Sequence, residues 1–207
     1  MNIDDRIIPL FFSPVYKNNI GDVNIPDFKS LEYRRGNNIW TTYDIKDNYL
    51  LESPEFTNLK VVIEKEVDYY FRSVLCVSKG VNFYITNSWI NRNDTGDHVE
   101  KHHHCNSIIS GVLYLETNND SGNITFVKDT HSNILFPEAL WPEMETYNLH
   151  NCTEYSITPN NNDIVLFPSS LVHYGSPNLS NKPRYCLSFN VFVYGKLGGC
   201  YNLDLKK

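Results

Sequence analysis

The run from Arg184 to Tyr194, RYCLSFNVFVY, fixes more about the fold than any other stretch. Tyr185, Leu187, Phe189, Val191 and Val193 fall on one parity, and Arg184, Cys186, Ser188 and Asn190 on the other. Successive side chains of an extended chain point to opposite faces of a sheet. One face of this strand must therefore be covered by a helix or a second sheet. The other face carries a guanidinium, a thiol, a hydroxyl and an amide. Such a row is odd for an outer surface and suits the lumen of a small roll that holds one ligand. Residues 108–115 behave similarly: Ser110, Val112 and Tyr114 share one parity, and Ile109, Leu113 and Leu115 the other.

The remaining segments fit a rolled sheet with helical cover. Residues 7–16 read as a strand interrupted by prolines, hence an edge strand, and residues 17–52 as loops and turns. Ser53-Pro54-Glu55 predicts a helix start, with a capping serine, proline at the first helical position and an acid in the first turn. Phe56, Leu59, Ile63, Val67, Tyr70 and Val74 then recur at three- and four-residue steps, which predicts one apolar stripe running to about Leu75. This helix carries no catalytic pattern. From Val81 the period becomes two: VNFYITNSWIN, NITFV and Ile164–Phe167 read as strands separated by turns. Residues 128–158, with His131, Trp141 and His150, read as a long irregular connection, either a lid over a substrate or a static insertion. The pattern therefore suggests a mainly β fold, an antiparallel barrel or jelly roll with helical cover. A single domain over 1–207 is expected, with 1–80 as cover and 81–195 as core.

A net charge of −6 argues against nucleic acid as the main partner, because phosphate binding needs clustered Lys and Arg. Five scattered cysteines without a C-x-x-C pair point to a reducing, cytoplasmic setting. The start MNIDDRIIPLFF does not read as a secretory signal, and no apolar stretch approaches the roughly 18 residues of a membrane span.

Three consecutive histidines, His102, His103 and His104, precede the 108–115 strand. On an extended segment His102 and His104 point the same way and His103 points away. His173 follows a Phe167-Pro168 bend and two serines, a position suited to a third ligand at a strand mouth. Three imidazoles suit Fe(II), Zn, Cu or Ni and leave positions open for substrate. The competing reading of the cluster alone is a solvated loop with incidental metal affinity. His98, His131 and His150 have no partner pattern.

Trp89, Gly96, HHHCNS, SGVLYL, LFPSSLVH and RYCLSFN stand in that order along the chain. As an ordered set they resemble the metal-binding core of the 2-oxoglutarate/Fe(II)-dependent oxygenases, in particular a prolyl-hydroxylase-like subfamily of microbial and phage proteins. LFFSPVY and SPEFTNL look like the same subfamily. The resemblance implies a mainly β double-stranded β-helix (jelly roll, cupin-like) with flanking N-terminal helices, Fe(II) ligation by His102, His104 and His173, and a pairing of Arg184 with the distal carboxylate of 2-oxoglutarate. It also implies a hydrogen bond from Tyr114 to that carboxylate; Asn91 is a candidate for the keto-acid end. The implied activity is hydroxylation of a substrate with release of succinate and CO2. Two departures stand out: His104 occupies a position that is usually Asp or Glu in the wider superfamily, and Cys186 one that is usually Ser in the subfamily. Two other readings compete: a cupin-like metal-binding module or three-His dioxygenase that uses no keto acid, and a structural, virion-associated protein. A peptide side chain, an amino acid or a small metabolite are the open substrate classes.

Overall fold

A computed structural model describes residues 7, 10, 12–44, 48–128, 142–198 and 203–206. In chain order these form β1 (Tyr16–Asn19), β2 (Arg34–Arg35), β3 (Trp40–Thr41), α1 (Thr57–Tyr69), β4 (Val81–Asn93), β5 (Val99–His102) and β6 (Ile109–Glu116). There follow β7 (Ile124–Val127), β8 (Glu154–Ile157), β9 (Asp163–Pro168), β10 (His173–Gly175), β11 (Arg184–Leu197) and β12 (Leu203–Leu205). The strands build two antiparallel sheets. The larger runs β1-β9-β6-β11-β4-β3-β2, with β12 paired to β11, and the smaller runs β5-β10-β7-β8.

β11 is the axis of the larger sheet, paired along most of its length with β4 on one side and β6 on the other. Its odd-numbered side chains from Tyr185 to Val193 enter one buried cluster with Ile109, Leu113 and Leu115 of β6. The helix stripe Leu59, Ile63, Val67 and Tyr70 closes that cluster from outside. The opposite face of the sheet meets the smaller sheet. Tyr114, Val165, Phe167 and Cys186 of the larger sheet pack with Ile124 and Phe126 of the smaller one. Phe126 and Phe167 bridge the sheets with ring centroids 5.0 Å apart. The architecture is thus a jelly roll whose second face is only partly filled by apolar groups.

Three local expectations change. The N-terminal strand begins only at Tyr16 and pairs with the edge of β9, while Phe12 is 68% exposed. Pro14, which has no N–H to give a ladder, lies just before the pairing starts. Ser53 makes no side-chain cap bond; the start is set by Pro54, which opens a 3₁₀ turn over Pro54–Phe56 before α1. The helix ends in a π-turn over Tyr70–Val74, so the stripe closes on Tyr70 and Phe71 and Val74 is exposed. The connection 128–158 holds a strand, β8, at its end. Its sequence EYSI is mostly exposed and gave no apolar alternation. Residues 129–141, including His131 and Trp141, lie outside the described residues. Among the described residues, no helix is long and apolar enough to cross a membrane, and Cys76, Cys105, Cys152 and Cys186 are free.

Candidate functional site

Strand register brings the first two imidazoles together. His102 ends β5 and His173 begins β10, and the two are direct cross-strand partners. Partners of this kind project to the same face, and their ring centroids lie 4.3 Å apart. His104 comes from the loop after β5. Its backbone N–H donates to the Ser169 carbonyl at 2.9 Å, and the Ser169 N–H donates to the Ile108 carbonyl at 3.0 Å, which ties this loop to the end of β9. The His104 ring then stands 5.0 Å from that of His102 and 5.3 Å from that of His173. One nitrogen from each ring lies within 4.8 Å of the others, a separation suited to shared coordination of one ion.

The tautomers are also set by the backbone. Nδ1 of His102 lies 2.7 Å from the Glu100 carbonyl, and Nδ1 of His173 lies 2.9 Å from the Leu171 carbonyl. A carbonyl can only accept, so Nδ1 carries the proton and Nε2 keeps its lone pair, as a metal ligand requires. Burial favours the neutral form of His104 and His173. It pushes His104 down to about 4, helped by His102 and His103. It pushes His173 down to about 3, against the opposing effect of the Leu171 carbonyl. The Phe167 ring packs 4.6 Å from that of His173, and Trp89 lies 6.3 Å from His104. Three imidazoles with one ring nitrogen each within 4.8 Å of the others fit a divalent first-row metal.

The other described histidines stand apart. His103 is exposed, with a ring nitrogen 3.4 Å from the Cys105 sulfur. His98 sits between Asn38 and Glu100 at the surface. His150 lies in an exposed turn, its backbone N–H bonded to Asn148.

The three imidazoles open onto a chamber that is also lined by Asn91, Tyr114, Cys186 and Arg184. Asn91, Cys186 and Tyr114 are consecutive register partners across β4, β11 and β6, which is why they share one level of the lumen. Tyr114 is 4% exposed. Burial raises its phenol well above the usual range, and the nearby Arg184 guanidinium acts in the opposite direction. Arg184 is 2% exposed. Its Nη1 donates to the Ser121 carbonyl at 2.7 Å, while Nε has no partner. Among the described residues no carboxylate pairs with it. A buried cation without a counter-charge is strongly unfavourable unless a ligand supplies the charge. The Arg184 end of the chamber therefore carries a positive charge with no counter-charge among the described residues. Gly175 lies two residues along β10 from His173, and a Cβ there would stand 3.3 Å from Arg184 Nη2.

The structure brings His102, His104, His173, Arg184, Tyr114 and Asn91 around this one chamber. Sequence reasoning missed the groups that hold them. Gly122 adopts φ +88°, and a Cβ there would stand 2.9 Å from Arg184 Nη1 and 2.8 Å from the Pro177 carbonyl. Its Ser-Gly-Asn context signalled only a turn. A hydroxyl chain, Ser107 to Ser169 (2.8 Å) and Ser169 to Ser110 (2.9 Å), ends on Asn190 Oδ1 at 2.7 Å from Ser110. No spacing in the sequence announces that chain.

Residues 87–190, half of the chain, match the model of the family described as "Putative 2OG-Fe(II) oxygenase". No curated protein matches. Among solved structures, the fold is similar to an oxidoreductase of the 2OG-Fe(II) oxygenase family from Burkholderia pseudomallei. The TM-score is 0.55 at 13% identity, covering 79% of this chain and 73% of that one. The non-heme alpha ketoglutarate dependent epimerase SnoN from nogalamycin biosynthesis gives 0.55 at 14% identity, covering 86% and 73%. HygX from Streptomyces hygroscopicus, with nickel, 2-oxoglutarate and hygromycin B bound, gives 0.53 at 13% identity, covering 79% and 74%. Likeness at these identities concerns the fold.

Proposed function

The chain belongs to the 2OG-Fe(II) oxygenase family, and from that premise we propose that it is an Fe(II)- and 2-oxoglutarate-dependent dioxygenase that hydroxylates an organic substrate, releasing succinate and CO2. In this reading His102, His104 and His173 hold the iron, Arg184 and Tyr114 take the distal carboxylate, and Asn91 faces the keto-acid end. When bound, the metal supplies O2 activation coupled to oxidative decarboxylation of 2-oxoglutarate.

The observation that carries the reading is the pairing of opposites within one chamber. Three imidazoles converge at one end, and a buried guanidinium without a carboxylate among the described residues stands at the other. Arg184 supplies the charge that fixes the cosubstrate's orientation, and a charge-assisted bond of this type contributes about 1.5–3 kcal/mol. Tyr114, kept protonated by its burial, donates its O–H. Phe167, Val112 and Ile124 form apolar wall, which keeps water from competing for the same groups. HygX, of the same fold, holds a metal and 2-oxoglutarate together. The substrate classes that suit an acidic protein with a narrow site are a peptide side chain, a free amino acid or a small metabolite.

His104 favours a second reading. A third neutral ligand leaves a divalent ion one unit more positive than a carboxylate would, and a three-His dioxygenase without keto acid would use Arg184 for the substrate's own carboxylate. Aerobic incubation with Fe(II) and 2-oxoglutarate separates the two. The first reading expects slow succinate formation even without substrate, lost in His102→Ala. Metal binding with no succinate under any condition favours the second.

A further inference from the structure

Among the described residues, three buried side-chain polar atoms lack a hydrogen-bond partner: Nε of Arg184 and both amide atoms, Nδ2 and Oδ1, of Asn93. They belong to a single cross-strand pair, because Arg184 and Asn93 are direct partners in the β4–β11 register. Such side chains leave the sheet on the same face with Cβ atoms about 4.5–5.5 Å apart. Asn93 is 0% exposed, and it is absent from the chamber lining that includes Arg184. It therefore lies beside Arg184 in the sheet without lining the chamber. Its backbone is clamped there: the Asn93 carbonyl accepts Asn178 Nδ2 at 2.9 Å, and the Asn178 N–H donates to the Asp97 carbonyl at 2.9 Å.

The unpartnered atoms are chemically complementary. Nε–H and Nδ2–H donate, and Oδ1 accepts. One water between them has three polar partners, which is the number a buried water typically makes. With Nη1 already fixed on the Ser121 carbonyl, a hold on Nε is the second point that defines the guanidinium plane. The remaining edge, at Nη2, is then presented to the chamber. The neutrality of the amide matters. A carboxylate in its place would orient Arg184 equally well but would neutralise it, leaving nothing for an anionic ligand.

We propose that Asn93 is a positioning residue which, through one buried water shared with Nε, aims Arg184 and sets the preference of the chamber for 2-oxo dicarboxylates over 2-oxo monocarboxylates. The proposal rests on the reading of Arg184 as the carboxylate-binding group. It is tested by anaerobic titration of the Fe(II)-loaded protein with 2-oxoglutarate and with pyruvate, which lacks the distal carboxylate, following the visible metal-to-ligand charge-transfer band. The wild type is expected to favour 2-oxoglutarate by about tenfold or more, the worth of one charge-assisted bond. Asn93→Asp should erase that preference by weakening 2-oxoglutarate alone, with pyruvate and Fe(II) affinities unchanged. Asn93→Leu should weaken 2-oxoglutarate in the same selective way to a smaller extent. A preference retained in Asn93→Asp overturns the proposal, as does an equal loss for both acids, which would mark general damage. A wild type with no band for either acid defeats the oxygenase reading instead. Glutarate and the metal-free protein then decide the inference: a thermal shift seen in the wild type and lost in Asn93→Asp supports it, and equal shifts, or none, overturn it.

Discussion

Leu187 and its neighbours Cys186 and Ser188 sit about 3.3 Å apart along one strand and belong to different parts of the molecule. Leu187 is fully buried beneath α1 in the main core. Cys186 and Ser188 line the chamber with Arg184. The two faces of β11 teach that parity divides the labour of this strand. Odd positions supply apolar burial and hold the roll together. Even positions carry polar groups on the chamber face: Asn190 is paired with Ser110, while Nε of Arg184 has no partner among the described residues.

Substitutions on the two faces should therefore have separable effects. The largest is expected at Leu187→Ala, which should cost about 2–5 kcal/mol in urea unfolding through the lost side chain and the cavity left behind. Its affinity for 2-oxoglutarate should stay within experimental error of the wild type. Arg184→Met should do the reverse, weakening 2-oxoglutarate by about 1.5–3 kcal/mol while leaving stability unchanged or raised, since an unpaired buried charge is removed. An Arg184→Met protein as unstable as Leu187→Ala would break the division between faces. A smaller effect is expected at Cys186→Ser. A hydroxyl is a better donor than a thiol, and placed beside Arg184 and Tyr114 it should tighten 2-oxoglutarate by about 1 kcal/mol, read by calorimetry.

The smallest effect concerns the acid sensitivity that two carboxylates outside the chamber contribute. The bidentate Arg35 contact at 2.7 Å holds the Asp97 carboxyl below its usual range. Burial pushes Asp163 up, but the Asn160 N–H, Lys17 and Asn19 together outweigh it, so its carboxyl is also lowered. A carboxylate with a depressed folded pKa stabilises fully above the unfolded value near 4 and loses that contribution as pH falls through the folded value. The difference in urea midpoint between the wild type and Asp97→Asn should thus be level from pH 7 to 5 and shrink below about pH 4.

The sequence makes the division between faces legible because burial enforces alternation on every paired strand. The fold class followed from RYCLSFNVFVY, the 108–115 segment and the helix stripe, where periodicity and burial agree. It was less legible where pairing is short or polar: EYSI of β8 has no apolar alternation, and the proline-rich start joins the sheet only at Tyr16. For the chamber, spacing placed His102 and His104 on one side, but which third group meets them is decided by register between β5 and β10, which no local pattern encodes. The supports of Arg184 were hidden for a similar reason. The Ser121 carbonyl is backbone, Gly122 and Gly175 act through the side chains they lack, and Asn93 becomes meaningful only when paired with Arg184.

The central claim is that the three imidazoles and the guanidinium serve one ternary site. Anaerobic titration of Fe(II) followed by 2-oxoglutarate, read at the visible charge-transfer band, tests it most directly. The account predicts a band in the wild type, its abolition in His173→Ala, and a strong shift to higher 2-oxoglutarate concentration in Arg184→Ala. A wild-type spectrum that stays flat, or a band that survives intact in His173→Ala, would contradict it.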